Sequence, residues 1–449
     1  MKKILPIILV GFIILSGFGA EAMIKPLDTN GYDLLIITPK EFLSAAKKLA
    51  DHKNSKKVDT IIKTTKEIYN EFEGRDKAEQ IKYYIKYAIE NLRVKYVLLF
   101  GGMKTQSLKW YIPLRYVLLD DETGGYTTFF SDLYYADIYK NTGEFEDWDS
   151  NNDNVFAEWG KDNLDLHPDV SVGRLPCRNI IEAKTVVDKI IDYENTDWST
   201  SSWFNSIVAV GGDTFPDYPG NEGEQTCEVA ISYMQGFEIN RLYTTSGNAI
   251  SSNDLINAIN NGCGFIITRG KGGQDRIRMV NSDSNEIIIL QNKQISKLKN
   301  KNMYPVVLLG ECIHGKIDVS ILNFFKLIKS EPNYLISDCI FECIASRFLN
   351  KKDGGAIAVL TNTNICYGNT GDANQNNITD DAERFGGLLA VEFFRLYGTE
   401  NMQILGQIHM KAIDDYITNF PVSTNKFDCK TIQEWILLGD PSLKIGGYL

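Results

Sequence analysis

The chain has 449 residues, 43% hydrophobic and 23% charged, a balance that supports a large buried core and excludes a disordered or collagen-like chain. Its formal net charge of -11 favours solubility and makes nucleic acid a poor partner. Eight cysteines show no CxxC and no regular spacing, so most read as small buried hydrophobes.

In chain order, Lys2 and Lys3 precede an apolar run from Ile4 to Leu15, and Ala20-Glu21-Ala22 follows as a small-x-small cleavage pattern. Residues 1–22 therefore read as a signal peptide, the run being shorter than the ~20 residues a spanning helix needs. No later segment is long enough to span a bilayer, so the mature chain is expected to be secreted or at the cell surface.

Strand-like and helix-like patterns then alternate, the signature of a parallel α/β sheet. Residues 32–38 (YDLLIIT) read as a buried strand. Asp76 and Glu79 open a helix in which Ile81, Ile85, Ala88, Ile89 and Leu92 recur at helical spacing. Residues 95–102 (KYVLLFGG) are a second strand. The aromatic, Asp- and Asn-rich stretch 103–168 reads as an elaborated loop, 169–176 (DVSVGRLP) as a strand and 180–193 as a helix. The stretch 197–203 suggests a boundary, giving an N-terminal α/β subdomain over 30–200 and a second subdomain over 201–449. Strands follow at 207–210, 264–268, 305–309 and 355–360. The segment 274–302 is long enough for a parallel crossover, and 402–417 reads as a helix carrying His409.

Two strand ends carry chemistry. One apolar run leads into Arg269-Gly270-Lys271-Gly272-Gly273, the other into Gly310-Glu311-Cys312-Ile313-His314-Gly315. Ligands collect beyond the carboxyl ends of parallel strands. Glycines there let a bound chain approach closely and offer N–H groups to a developing oxyanion.

In these motifs the chain resembles the gingipain-type cysteine peptidases, peptidase family C25, whose fold is related to the caspases. In that family a Gly-His-Gly follows one strand and a Cys-x-x-Gly the next. Further matches are Gly74-Arg75-Asp76, the run 131–137 (SDLYYAD), 172–176 (VGRLP), 212–215 (GDTF), Glu222-Gly223-Glu224, 354–357 (GGAI) and 438–443 (LGDPSL). The resemblance implies a mainly parallel caspase-like sheet flanked by helices, with 201–449 the catalytic part. It makes Cys312 the nucleophile, and the backbone N–H groups of Cys312 and Gly272 the oxyanion donors. Taken alone, Cys312 reads as a buried cysteine at a strand end, and Lys271 as a solvated loop lysine.

Lys271 stands where the family has histidine. Imidazole, with a pKa near ~6.5, can take the thiol proton and return it to the leaving amine. Lysine is neutral in only about one molecule in 2,500 at pH 7. An ammonium ~4 Å from the sulfur contributes about 4 kcal/mol at an effective dielectric of ~20, so Lys271 and Arg269 can favour a thiolate without supplying a proton shuttle. Of the histidines, His314 at the start of an expected helix points away from the thiol, His409 reads as a partly exposed or capping residue, and His52 and His167 lie in the first half. Two functions follow: a secreted cysteine endopeptidase acting on protein or peptide substrates, or an inactive pseudopeptidase that binds peptides. A structural or adhesive surface module is the third.

Asp149, Asn151, Asp153 and Glu158 resemble the start of a calcium loop, and the family resemblance implies structural Ca2+. A weaker set is Asp372, Asn374, Asn376 and Asp380. Asp213, Glu222 and Glu224 read as a solvated acidic loop, or else as cleft acids. No cofactor is implied for the chemistry itself.

Overall fold

The apolar runs become strands because each is buried on both faces, as LLIIT at Leu34–Thr38 and YVLLF at Tyr96–Phe100 show. The computed structural model describes residues 31–448 apart from 106, 123–125, 199–200, 247–249, 282–283 and 330–334. The expected signal peptide lies outside the described residues. Among them no helix is long and apolar enough to cross a membrane.

Ten strands form one sheet. From edge to edge they are Thr60–Thr64, Leu34–Thr38, Tyr96–Phe100, Ser171–Leu175, Trp435–Leu438, Ala358–Asn362, Val306–Leu309, Phe265–Arg269, Ser206–Gly211 and Glu238–Tyr243. All neighbours are parallel except one pair: Ala358–Asn362 runs antiparallel to Trp435–Leu438. The sheet is therefore two five-stranded parallel halves meeting at an antiparallel seam. The last strand joins the first half, so the two chain segments divided near residue 200 share one continuous sheet. The carboxyl ends of the second-half strands all lie along one edge, opposite those of the first half.

The helix predicted from Asp76 spans Lys77–Leu92, with the Asp76 side chain accepting from the Glu79 N–H. The Glu79 carboxylate turns instead to the N–H of Arg75, one residue before the cap. Helix Ile180–Glu194 is capped by Asn179. The crossover at 274–302 is not mainly helical. Strands Arg276–Val280 and Glu286–Gln291 form a hairpin, Lys271–Gly273 pairs with the first of them, and only Asn292–Ile295 is helical. The alternation explains this, since Ile277 and Met279 point inward between half-buried arginines.

Several of the scattered motifs hold the first half of the sheet and its loops together. Arg174 makes a bidentate pair with Asp132, both bonds at 2.7 Å. Arg115 does the same with Asp76 at 2.8 and 2.9 Å. A Cβ on Gly173 would stand 2.5 Å from the carbonyl oxygen of Gly439, so only glycine lets the terminal motif pack on that strand.

Candidate active site

Cys312 sits three residues beyond Val306–Leu309 and Lys271 two beyond Phe265–Arg269, on directly paired strands in the register Leu309↔Thr268. The backbones converge. A Cβ on Gly272 would lie 2.9 Å from Cys312 N and closer still to its carbonyl oxygen. Glycine at 272 is thus a packing requirement, and it brings the backbone N–H region of residue 272 against the nucleophile position.

The Cys312 sulfur has a partner the sequence did not indicate. Cys366, four residues past Ala358–Asn362, places its Sγ 3.6 Å from Cys312 Sγ, and its carbonyl oxygen lies 3.5 Å away. Both thiols are half-buried. Hydrogen bonding with Cys366 holds the Cys312 thiol below the ordinary thiol range; burial opposes this, and His314 and Arg269 add favourable charge. Proton sharing pushes the Cys366 thiol up correspondingly. The pair behaves as one thiol held against one thiolate.

Arg269 is 2% exposed and committed to Asp381, with a 2.6 Å ion pair and a further hydrogen bond to the Gly310 carbonyl. It contributes charge beneath the site rather than a direct contact to the sulfur. Lys271 is half-buried, lies opposite Arg278 in the hairpin, and acts electrostatically on Asp213. The thiolate support expected from Lys271 and Arg269 therefore comes chiefly from Cys366, with His314 and Arg269 behind it.

His314 is not at a helix start. Residues 312–315 form a turn, and the ring is fully buried. Its Nε2 lies 2.9 Å from the Arg276 carbonyl oxygen and its Nδ1 3.3 Å from Glu311 Oε2, so both nitrogens face away from the thiol. Glu311 also accepts from Thr268 Oγ1 at 2.7 Å, tying the two reactive strand ends together beneath the surface. His409 is buried rather than partly exposed, and burial pushes it down to about 4. His52 is held by Glu194 at 2.9 Å and His167 by Asp414 at 2.8 Å, each remote in the fold's first half.

The acids Asp213, Glu222 and Glu224 are buried, not solvated. Glu224 is fully used by Thr244 and Thr245. Burial raises the carboxyls of Asp213 and Glu222, with Lys271 partly offsetting the shift at Asp213. Glu434 was missed by sequence reasoning. It ends the helix Lys426–Glu434, is fully buried, and is pushed well up by desolvation, with Lys430 opposing and Cys312 contributing.

In the Asp149 loop, expected to hold calcium, the candidate ligands have partners within the chain. Arg75 Nη1 is already 2.6 Å from Asp149, whose oxygens also accept from the N–H groups of Asp153 and Asn154. Glu158 is paired with Lys161 at 2.7 Å, and Asn151 and Asp153 bond to each other. The loop at Asp372 repeats the pattern: Asp372 accepts from Asn376 and Asn377, Asp380 accepts from the Ala373 N–H, and the Asn374 and Asn376 amides point to Glu383. No group of three or more His, Cys, Asp or Glu side chains suited to a metal occurs among the described residues.

With this geometry in hand, comparison with known proteins gives a consistent result. The solved structure of the Arg-specific cysteine proteinase gingipain R aligns with a TM-score of 0.63 at 18% identity, covering 94% of this chain and 80% of that one. The complex of Porphyromonas gingivalis RgpB pro- and mature domains aligns with a TM-score of 0.62 at 18% identity, covering 92% and 79%. A third structure, described as a protease, gives 0.59 at 15% identity over 93% and 79%. No curated protein sequence matches. At these identities the structures establish the fold, and the model of Peptidase family C25 matches residues 28–446. The chain therefore belongs to peptidase family C25, with a gingipain-like α/β fold and a cysteine peptidase domain.

Proposed function

We propose that this domain cleaves internal peptide bonds of proteins or peptides through a Cys312 thiolate, with slow turnover at neutral pH, and that it works outside the cytoplasm. The observation that carries this is the convergence of the Gly272 backbone on Cys312, combined with a thiol held below its usual range. Attack needs the thiolate. The N–H groups of Cys312 and Gly272 lie on the two strand ends that would face a tetrahedral oxyanion.

The slow step is protonation of the leaving amine. Lys271 occupies the position at which the family carries histidine, and an amine side chain is a poorer proton shuttle than an imidazole near neutral pH. No imidazole replaces it: His314 has both ring nitrogens turned to Arg276 and Glu311. That same observation favours a second reading, a pseudopeptidase that binds peptides without cutting them. Casein and peptide-library digestion with the native protein, Cys312→Ala and Lys271→His separates the two. Native cleavage that Cys312→Ala abolishes supports the endopeptidase. A Lys271→His variant more active than native locates the deficit in proton transfer, and one with no gain removes that explanation.

A further inference from the structure

The sulfur of Cys312 touches another thiol, and no step of peptide hydrolysis uses that thiol. The two cysteines extend neighbouring parallel strands in the register Leu309↔Thr361. Past the strand ends the backbones remain tied. The Ile313 N–H donates to the Asn364 carbonyl and the Gly315 N–H to the Asn362 carbonyl, both at 2.9 Å. The Asn362 amide donates to the Glu311 carbonyl at 3.3 Å. This frame holds Cys312 Sγ and Cys366 Sγ at 3.6 Å, in van der Waals contact, with neither residue sealed in the core.

We propose that Cys312 and Cys366 form a redox-active dithiol that a hydroperoxide converts into an intramolecular disulfide. The Cys312 thiolate attacks the distal peroxide oxygen, the O–O bond breaks, and the alkoxide or hydroxide released takes up a proton. Cys312 is then a sulfenic acid. Cys366 gives up its proton as its sulfur attacks the Cys312 sulfur, and the displaced hydroxide leaves with that proton as water. In sum, two thiols and one hydroperoxide give one disulfide, one alcohol or water, and one further water. Bond formation near 2.05 Å asks the sulfurs to close by roughly 1.5 Å, a small movement for two side chains at strand ends.

Selectivity follows from the other cysteines. Cys177, Cys227, Cys263, Cys343 and Cys429 are buried, and burial pushes their thiols up. Cys339 is raised as well, by burial and then by Asp338. Cys312 alone combines thiolate character with a thiol in contact. The disulfide would take the nucleophile out of use until a reductant restores it.

The test reads thiols, so it stands apart from whether the protein cuts peptides. Native protein is treated with dilute hydrogen peroxide, denatured, and its thiols are titrated and mapped by mass spectrometry. Titratable thiols are expected to fall from eight by two, with the Cys312 and Cys366 peptides joined and both thiols recovered by dithiothreitol. In Cys366→Ser, Cys312 should instead take up two or three oxygens and resist dithiothreitol. In Cys312→Ser, Cys366 should stay a free thiol at the same peroxide dose. Native protein carrying over-oxidised Cys312 beside an unmodified Cys366 overturns the proposal. So does rapid oxidation of Cys366 in Cys312→Ser.

Discussion

Around Lys53 every buried charge meets an opposite one. Its Nζ lies 2.5 Å from Glu194 and 2.7 Å from Asp440, all three side chains are fully buried, and His52 adds a second contact to Glu194. Burial works to depress the ammonium, and the two carboxylates outweigh it, so Lys53 stays charged. Around Cys312 the buried groups are left short. Both Glu434 oxygens and Oε1 of Glu311 have no hydrogen-bond partner among the described residues. An unpartnered buried polar group is destabilising by about 1–3 kcal/mol. The first cluster clamps the helix 43–55, the helix 180–194 and the terminal segment; the second gives up stability in the one place where a reactive thiol is held.

Breaking the clamp should have the largest effect. Lys53→Met removes the cation and leaves Glu194 with His52 alone and Asp440 with no cation beside it. Breaking such a pair from one side destabilises by about 3–5 kcal/mol. Urea unfolding should show the midpoint falling accordingly, with little change in slope. A shift no larger than that of an average surface substitution would mean the cluster is not the clamp described.

The contrast also explains what could be read from residues alone. Most inner strands were legible because burial on both faces writes an apolar run, as in FIITR at Phe265–Arg269, although the equally buried Trp435–Leu438 at the seam was not read as a strand. The edge strand Glu238–Tyr243 was not, because its side chains are largely exposed and its sequence mixes charge with apolar residues. The glycines flanking Lys271 and Cys312 announced close backbone approach, and Gly272 delivers it. Cys366 gave no local signal: it lies 54 residues from Cys312 and meets it only through strand register. A cysteine just past the neighbouring strand's carboxyl end is the clue that could have found it. The acids at 213, 222 and 224 looked solvated because carboxylates usually are, and only the packing of the helix Glu222–Ser232 under the strand ends buries them.

His409 extends the comparison to acid pH. Its ring is buried, its Nε2 lacks a partner among the described residues, and burial depresses it to about 4 from the usual ~6.5 of a free histidine. The unfolded chain therefore binds this proton more readily than the folded one. Its contribution is fully present above pH ~6.5 and is lost as pH falls through about 4, a span worth about 3 kcal/mol. Urea midpoints between pH 7 and 4 should fall for the native protein and fall less for His409→Gln. Parallel profiles would show that the imidazole is not the group being loaded.

The smallest effect concerns the open cluster itself. Cys366 is the first influence on the Cys312 thiol, ahead of burial and of the His314 and Arg269 charges. Cys366→Ala removes the sulfur contact and leaves those charges in place. A hydrogen bond contributes about 1 kcal/mol, which corresponds to roughly a fivefold change in thiolate population. The pH midpoint for alkylation of Cys312 by iodoacetamide, followed on its peptide by mass spectrometry, should therefore move upward by less than a pH unit. An unchanged midpoint would mean that Arg269 and His314 hold the thiolate without help, and the second thiol would then lose its place in the site's electrostatics while keeping its place beside the sulfur.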